Sequence, residues 1–166
     1  MRLALAAAAV LIMSASAAEA RTWRVSPGPN AQTELQTALI EAQPGDTVQL
    51  ARGRFELTQG LSLAVDRVTI RGQGEARTIL SFAGQRRGAE GLLVTANGVV
   101  LRDFAVEDAR GDAIKVRDCN GITFQGVRAE WTRGPNSENG AYGLYPVNCS
   151  NVLIRDSIAR GASDAG

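Results

Sequence analysis

The single lysine of this chain, Lys115, lies inside GDAIKVRDCNGITFQGV (residues 111–127), with Arg117 two positions on and Asp112 and Asp118 to either side. Cations beside carboxylates are the ingredients for handling an anionic substrate. The cation meets a carboxylate or steadies a developing enolate, and a neighbouring group takes the proton. Downstream, EWTRGPNSENGAYGLYPV (130–147) adds Glu130, Trp131, Arg133, Glu138, Tyr142 and Tyr145. An aromatic ring stacks on the apolar face of a sugar, and arginine grips a carboxylate through two parallel hydrogen bonds. These types together suit an acidic polysaccharide. Lys115, Trp131, Arg133, Tyr142 and Tyr145 are its candidate binding residues, and Lys115 and Arg117 are the candidates for catalysis. Histidine is absent, so serine–histidine and cysteine–histidine mechanisms are excluded within this stretch, as is the commonest neutral metal ligand.

A repeat must position these residues. From Leu61 onward, VDRVTIRG, ANGVVLRD, CNGITFQG and CSNVLIRD each join turn residues to an alternating strand signal. Aligning Val68, Val99, Ile122 and Val152 gives spacings of 31, 23 and 30 residues, which is repeat architecture. Each unit holds further short apolar pieces, such as Phe104 with Val106, Val127 with Ala129, Ile114 with Val116, and Leu144 with Val147. Three short strands per turn without an intervening helix predict an all-β fold, a right-handed parallel β-helix (solenoid). In such a coil equivalent residues stack about 4.8 Å apart. Asn97 then stacks with Asn120. Cys119 stacks with Cys149 above Ala96, and inward stacking of the cysteines as small apolar residues is favoured over a disulfide or a metal site. The same alignment sets Lys115 against Tyr145, Arg117 against Val147 and Asp112 against Tyr142. With Ile114 and Val116 pointing inward, Lys115 and Arg117 point outward.

The first edge of a solenoid needs a cover. AQTELQTALIEA (31–42) supplies Leu35, Ala38, Leu39 and Ala42 on one face at helical spacing. An N-terminal capping α-helix and the first coil thus occupy 21–60, and the repeating coils occupy 61–166. The final GASDAG falls in the turn before an expected strand, so the chain reads as the N-terminal part of a longer β-helix, truncated at its C-terminus and monomeric when full length. Residues 1–20, MRLALAAAAVLIMSASAAEA, have the charged start, short apolar run and small-residue end of a signal peptide. Cleavage after Ala20 is expected, leaving a secreted or periplasmic protein with no membrane span. Removing these 20 of 166 residues leaves 17 basic and 16 acidic groups, a balance that points to neither a nucleic-acid nor a membrane partner.

LQTALIEAQPGDTVQLARGRFEL, followed by VTIRGQG and the later coils, resembles the opening of the pectate-lyase-like superfamily of right-handed β-helix proteins. The resemblance covers essentially all of the mature chain. It implies an exported protein acting on or binding polysaccharide, foremost a uronate lyase or C5-epimerase, with a non-catalytic envelope binding or accessory protein as the alternative. GDAIKVRDCNGITF is similar to the D-A-I strand of pectate lyases, which implies calcium at Asp112, with Asp118 as a looser candidate. The next strand departs from that family: Ile122-Thr123-Phe124-Gln125-Gly126 stands where pectate lyases read W-I-D-H.

Each candidate also has a plainer reading. An Asp at a turn bonds backbone N–H groups, a loop Trp folds down over the coil it interrupts, and Arg102-Asp103 and Arg155-Asp156 form surface ion pairs.

Overall fold

The computed structural model describes residues 19–166. Most of the expected signal sequence lies outside them. The chain opens with β1 (Thr22–Val25), α1 (Ala31–Glu41), β2 (Thr47–Leu50), β3 (Gly53–Glu56) and β4 (Gln59–Leu63). It continues through β5 (Thr69–Arg71), β6 (Thr78–Ser81), β7 (Arg87–Val94), β8 (Val99–Glu107), β9 (Ile114–Arg117) and β10 (Asn120–Glu130). It closes with β11 (Leu144–Val147), β12 (Ser150–Arg155) and β13 (Ile158–Arg160). Every strand pairing is parallel.

The pairings trace three paths along one solenoid. The first is β1-β2-β5-β8-β10-β12, the second joins β3, β6 and the later halves of β8 and β10 to β13, and the third is β4-β7-β9-β11. Strands β8 and β10 serve two paths because each bends at a left-handed residue, Asp103 (φ 62°) and Gly126 (φ 60°). Asp156 (φ 51°) makes the same corner between β12 and β13. Asp is among the few non-glycine residues that adopt this conformation readily, so this repeated corner is encoded locally. The fold is the expected right-handed parallel β-helix.

The core is the bore of the coil. Val48, Ile70, Leu101 and Phe124 stack in register on the first path, as do Phe55, Leu80, Val106 and Ala129 on the second. All are essentially inaccessible. Burying each large apolar side chain contributes about 1.5–3 kcal/mol. Helix α1 closes the first end as its spacing requires, with Leu35, Ala38, Leu39 and Ala42 buried against that core. Along the third path Ile114 pairs with Leu144, but Val116 pairs with Pro146. Val147 therefore sits beside Arg117 on the outer side, not in the apolar column with Val116.

The turn before the first path is held by a ladder of carboxamides and one carboxylate. Asn97 N–H donates to Asp66 Oδ1 (2.8 Å), Asn120 N–H to Asn97 Oδ1 (2.8 Å), and Asn151 Nδ2 to Asn120 Oδ1 (2.6 Å). Cys119 and Cys149 do stack, with Cα atoms 4.5 Å apart, but they are joined as a disulfide. This corrects the expectation of separate thiols. Equivalent positions on neighbouring rungs lie within disulfide reach, so once both cysteines share a column an oxidising environment suffices to link them.

Candidate functional site

The outer face of the third path gathers most of the residues singled out in the sequence. Alternation along β9 buries Ile114 and Val116 and turns Lys115 outward. Lys115 Nζ lies 3.2 Å from Asp112 Oδ2 and 3.7 Å from Glu90 Oε1. On the next rung Tyr145 pairs with Lys115, and the ammonium sits 5.4 Å from the centre of its ring. Tyr142 stacks on Tyr145, with centroids 4.2 Å apart and planes 24° from parallel. Both rings are half-buried, so the pair is presented on the surface, not absorbed into the core.

Register explains the grouping. Leu93, Lys115 and Tyr145 occupy one column. Three positions earlier, Glu90, Asp112 and Tyr142 form a parallel column, tied by Gly91 N–H to Asp112 O (2.9 Å) and Ala113 N–H to Tyr142 O (2.9 Å). Asp164 reaches the same place, because Ala165 bridges to Tyr142. Its carboxylate lies beside the Tyr142 phenol and holds that group's pKa above the ordinary tyrosine value. Two carboxylates thus flank one ammonium, Asp164 adds a third on the Tyr142 side, and the tyrosine pair stands at the edge of a net-acidic patch.

Arg117 is outward and exposed two positions further along β9, opposite Val147, without an acidic partner among the described residues. It shares the face with Lys115 but not its ion pairs. The other candidates lie elsewhere. Trp131 is 4% exposed, and its Nε1 donates to Ala109 O at 2.7 Å. The ring has folded onto the coil below and offers no open face for a sugar. The cause lies in the anchoring of the loop: Thr132 N–H and Oγ1 both bond Asp108 Oδ1 (2.8 and 3.0 Å), pinning the start of the insertion. Arg133 lines a separate cleft with Asp108, Trp131, Glu138 and Asn139.

Asp112 and Asp118 do not converge on a cation site. Asp118 lies beyond the far end of β9 in a left-handed turn (φ 55°) and accepts a 2.6 Å bond from Asn148 Nδ2. Asp112 already faces Lys115. Calcium requires six to eight oxygen ligands at about 2.3–2.6 Å, and among the described residues no group of three or more acidic, cysteine or histidine side chains is placed to hold a metal. The donor set does not fit calcium.

Two elements of charge chemistry were missed in the sequence. Glu90 belongs to the lysine cluster, and its signal was its place two residues before Leu92, as Asp112 stands two before Ile114. The other is an ion network on the second path. Glu107, 5% exposed, accepts from Arg54 Nη1 (2.5 Å) and Arg128 Nη2 (2.8 Å). Arg128 also meets Glu75 (2.6 Å) and Glu130, and Glu130 meets Arg160 (2.7 Å). Desolvation pulls the Arg128 pKa down, but bonds to Glu107 and Glu75 with the charges of Glu107 and Glu130 more than offset it, so the net shift is upward. Glu130 is therefore part of a clamp between rungs and not of the insertion corner. The surface pair Arg102–Asp103 forms as expected, at 2.9 Å.

No family model and no curated protein matches this chain. Among solved structures it is similar to a pectin methylesterase mutant crystallised with a hexasaccharide, at a TM-score of 0.53 and 10% identity. The alignment covers 87% of this chain and 56% of that one. At such identity the likeness is one of fold, and this chain spans little more than half the length of that enzyme.

Proposed function

We propose that the protein is an exported polysaccharide-binding β-helix whose sugar-binding face is built on Tyr142, Tyr145 and Lys115. The observation that carries this reading is the half-exposed, stacked tyrosine pair standing outward on a rigid rung beside Lys115. Such a platform takes the C–H face of a pyranose. Asp112 and Glu90 are placed to accept hydroxyl hydrogen bonds, while Arg117, without an acidic partner among the described residues, suits a carboxylate of an acidic polysaccharide, and Lys115 joins it on releasing Asp112 and Glu90. The disulfide supports export to an oxidising compartment, the periplasm or the cell exterior. The solved relative in fold was crystallised with a hexasaccharide, which supports a carbohydrate ligand in general terms.

A uronate lyase or C5-epimerase acting on the same face is the second reading, favoured by the juxtaposition of a cation, two carboxylates and a phenol. Both reactions remove the proton alpha to the uronate carboxyl group. Lys115 would have to release Asp112 and Glu90 to steady the enolate. Tyr142 is less often deprotonated than an ordinary tyrosine, because Asp164 raises its pKa, and so is less available as a phenolate base. Binding without turnover is accordingly placed first.

The test is incubation with alginate, pectate and chondroitin, with and without calcium. Binding is followed by calorimetry, unsaturated uronate by ultraviolet absorbance, and C5 inversion by NMR. Saturable binding that persists at high salt, without product, and that is lost in Tyr142→Ala/Tyr145→Ala supports the first reading. Unsaturated or inverted product supports the second. Neither binding nor product with any glycan refutes both.

A further inference from the structure

A second outward column lies on the first path, on a different sheet from the tyrosine pair. Arg24, Gln49, Arg71, Arg102, Gln125 and Arg155 pair in turn on six successive rungs. At the spacing of neighbouring strands the column runs about 24 Å along the solenoid axis. Val48, Ile70, Leu101 and Phe124, the alternate positions, fill the core, so this column faces out. Arg24, Arg71 and Arg155 are exposed. Among the described residues only Arg102 of these four has an acidic partner, Asp103.

Composition does not explain this alignment, since the whole chain carries a formal charge of only +1. Stability does not explain it either. Arg71 stands directly opposite Arg102, and like charges so placed on neighbouring strands are destabilising. Gln49 and Gln125 occupy the same column, so the fold accepts an uncharged side chain there. Beside the column, Arg71, Gln73 and Arg77 line a cleft with Gly72, Gly74 and Asp103. Arg77 likewise has no acidic partner among the described residues.

We propose that this column is a binding track for a linear polyanionic glycan lying along the solenoid axis. Arg71, Arg77 and Arg102 hold its carboxylate or sulfate groups, and Arg24 and Arg155 extend the track to either end. The planar guanidinium suits both anions through paired hydrogen bonds. The rung spacing is of the order of one sugar residue, so an extended chain meets a guanidinium every residue or two. An anion seated between Arg71 and Arg102 also relieves their mutual repulsion. The proposal does not depend on the tyrosine face, and each can fail alone.

The experiment compares wild-type protein with two variants, Arg71→Gln/Arg102→Gln/Arg155→Gln and Tyr142→Ala/Tyr145→Ala. Glutamine is the residue the column itself uses on two rungs, so folding is retained, as thermal melting will verify. Probes are a polyuronate, a sulfated glycan, a neutral glucan and single-stranded DNA, titrated at low and high salt. The expected result is binding of the polyuronate or the sulfated glycan, the two arms telling which anion is held. That binding weakens with salt and falls about tenfold or more in the arginine variant. The tyrosine variant keeps the salt-sensitive binding. The proposal is overturned if the arginine variant binds as the wild type does, or if neither polyanionic glycan binds. Equal or tighter binding of the glucan or the DNA also overturns it.

Discussion

Asp46 fastens the start of the solenoid, and its replacement gives a loss of stability whose size depends on pH. The residue is 3% exposed. Its Oδ1 accepts from Arg21 N–H (2.7 Å), and its Oδ2 accepts from Gln43 N–H (2.9 Å) and Trp23 Nε1 (3.0 Å). One carboxylate thus ties β1 to the turn that follows α1. Hydrogen bonds to a charged group contribute about 1.5–3 kcal/mol each, but three on one carboxylate share its solvation and do not add in full. Asp46→Ala should therefore cost about 3–5 kcal/mol, and Asp46→Asn, which keeps one acceptor oxygen, about 1–3 kcal/mol. The Gln43 N–H bond is the main cause that holds the Asp46 pKa below 3.8; burial opposes it, and bonds from Trp23 and Arg21 assist. A carboxylate depressed in the folded state adds stability that is fully present above its unfolded pKa and lost as pH falls through the folded one. Urea unfolding at about pH 7 should show the full gap between wild type and Asp46→Asn, and the gap should narrow as pH falls below the ordinary Asp value of about 3.9. A gap below roughly 0.5 kcal/mol near neutrality, or one that persists unchanged in acid, would refute the reasoning.

Other consequences can be measured on the same folded chain. Glu107→Gln leaves Arg54 and Arg128 without their shared anion in a largely buried setting and should cost about 3–5 kcal/mol. Glu56→Gln, on the exposed side of Arg54, should cost under about 1 kcal/mol; equal losses in denaturant titrations would contradict the clamp. Reducing Cys119–Cys149, which closes a separation of 30 residues, should lower stability by up to about 3–4 kcal/mol on the chain-entropy account, and an unchanged melting temperature with reductant would count against it. Gly140→Ala sets a methyl group against Gly111 O and the Trp131 ring. The insertion must then lift, and tryptophan emission should shift to the red; an unaltered spectrum would show that the loop is not pinned as described.

The coil was legible because its information is local and repeated. Turn residues before each β-branched strand set the alignment of Val99, Ile122 and Val152, and the pairings follow it residue for residue. Lys115 opposite Tyr145 and Asp112 opposite Tyr142 came from the same register. Glu90 was hidden because GQRRGAE interrupts the repeat and the pairing of β4 with β7 shifts between Gln59 and Leu61. The Arg54–Glu107–Arg128 clamp joins groups 53 and 21 residues apart, and Glu75 enters it from the turn between β5 and β6, so no local pattern announces it. Trp131 shows the limit most clearly. Its type suits a sugar platform, and only the bond to Ala109 O, with the anchoring of Thr132, decides that it lies down on the coil. Column membership placed the cysteines together, but it carries no information on whether thiols are oxidised.

The most direct measurement of the central claim is calorimetric titration, at high salt so that charge pairing on the arginine column is screened, of the wild-type protein and of Tyr142→Ala/Tyr145→Ala with a panel of defined acidic oligosaccharides. The stacked tyrosine pair predicts saturable binding to the wild type that falls by about tenfold or more in the double variant, with melting temperatures alike. Equal affinity in the two proteins, or no heat of binding with any member of the panel, would contradict it.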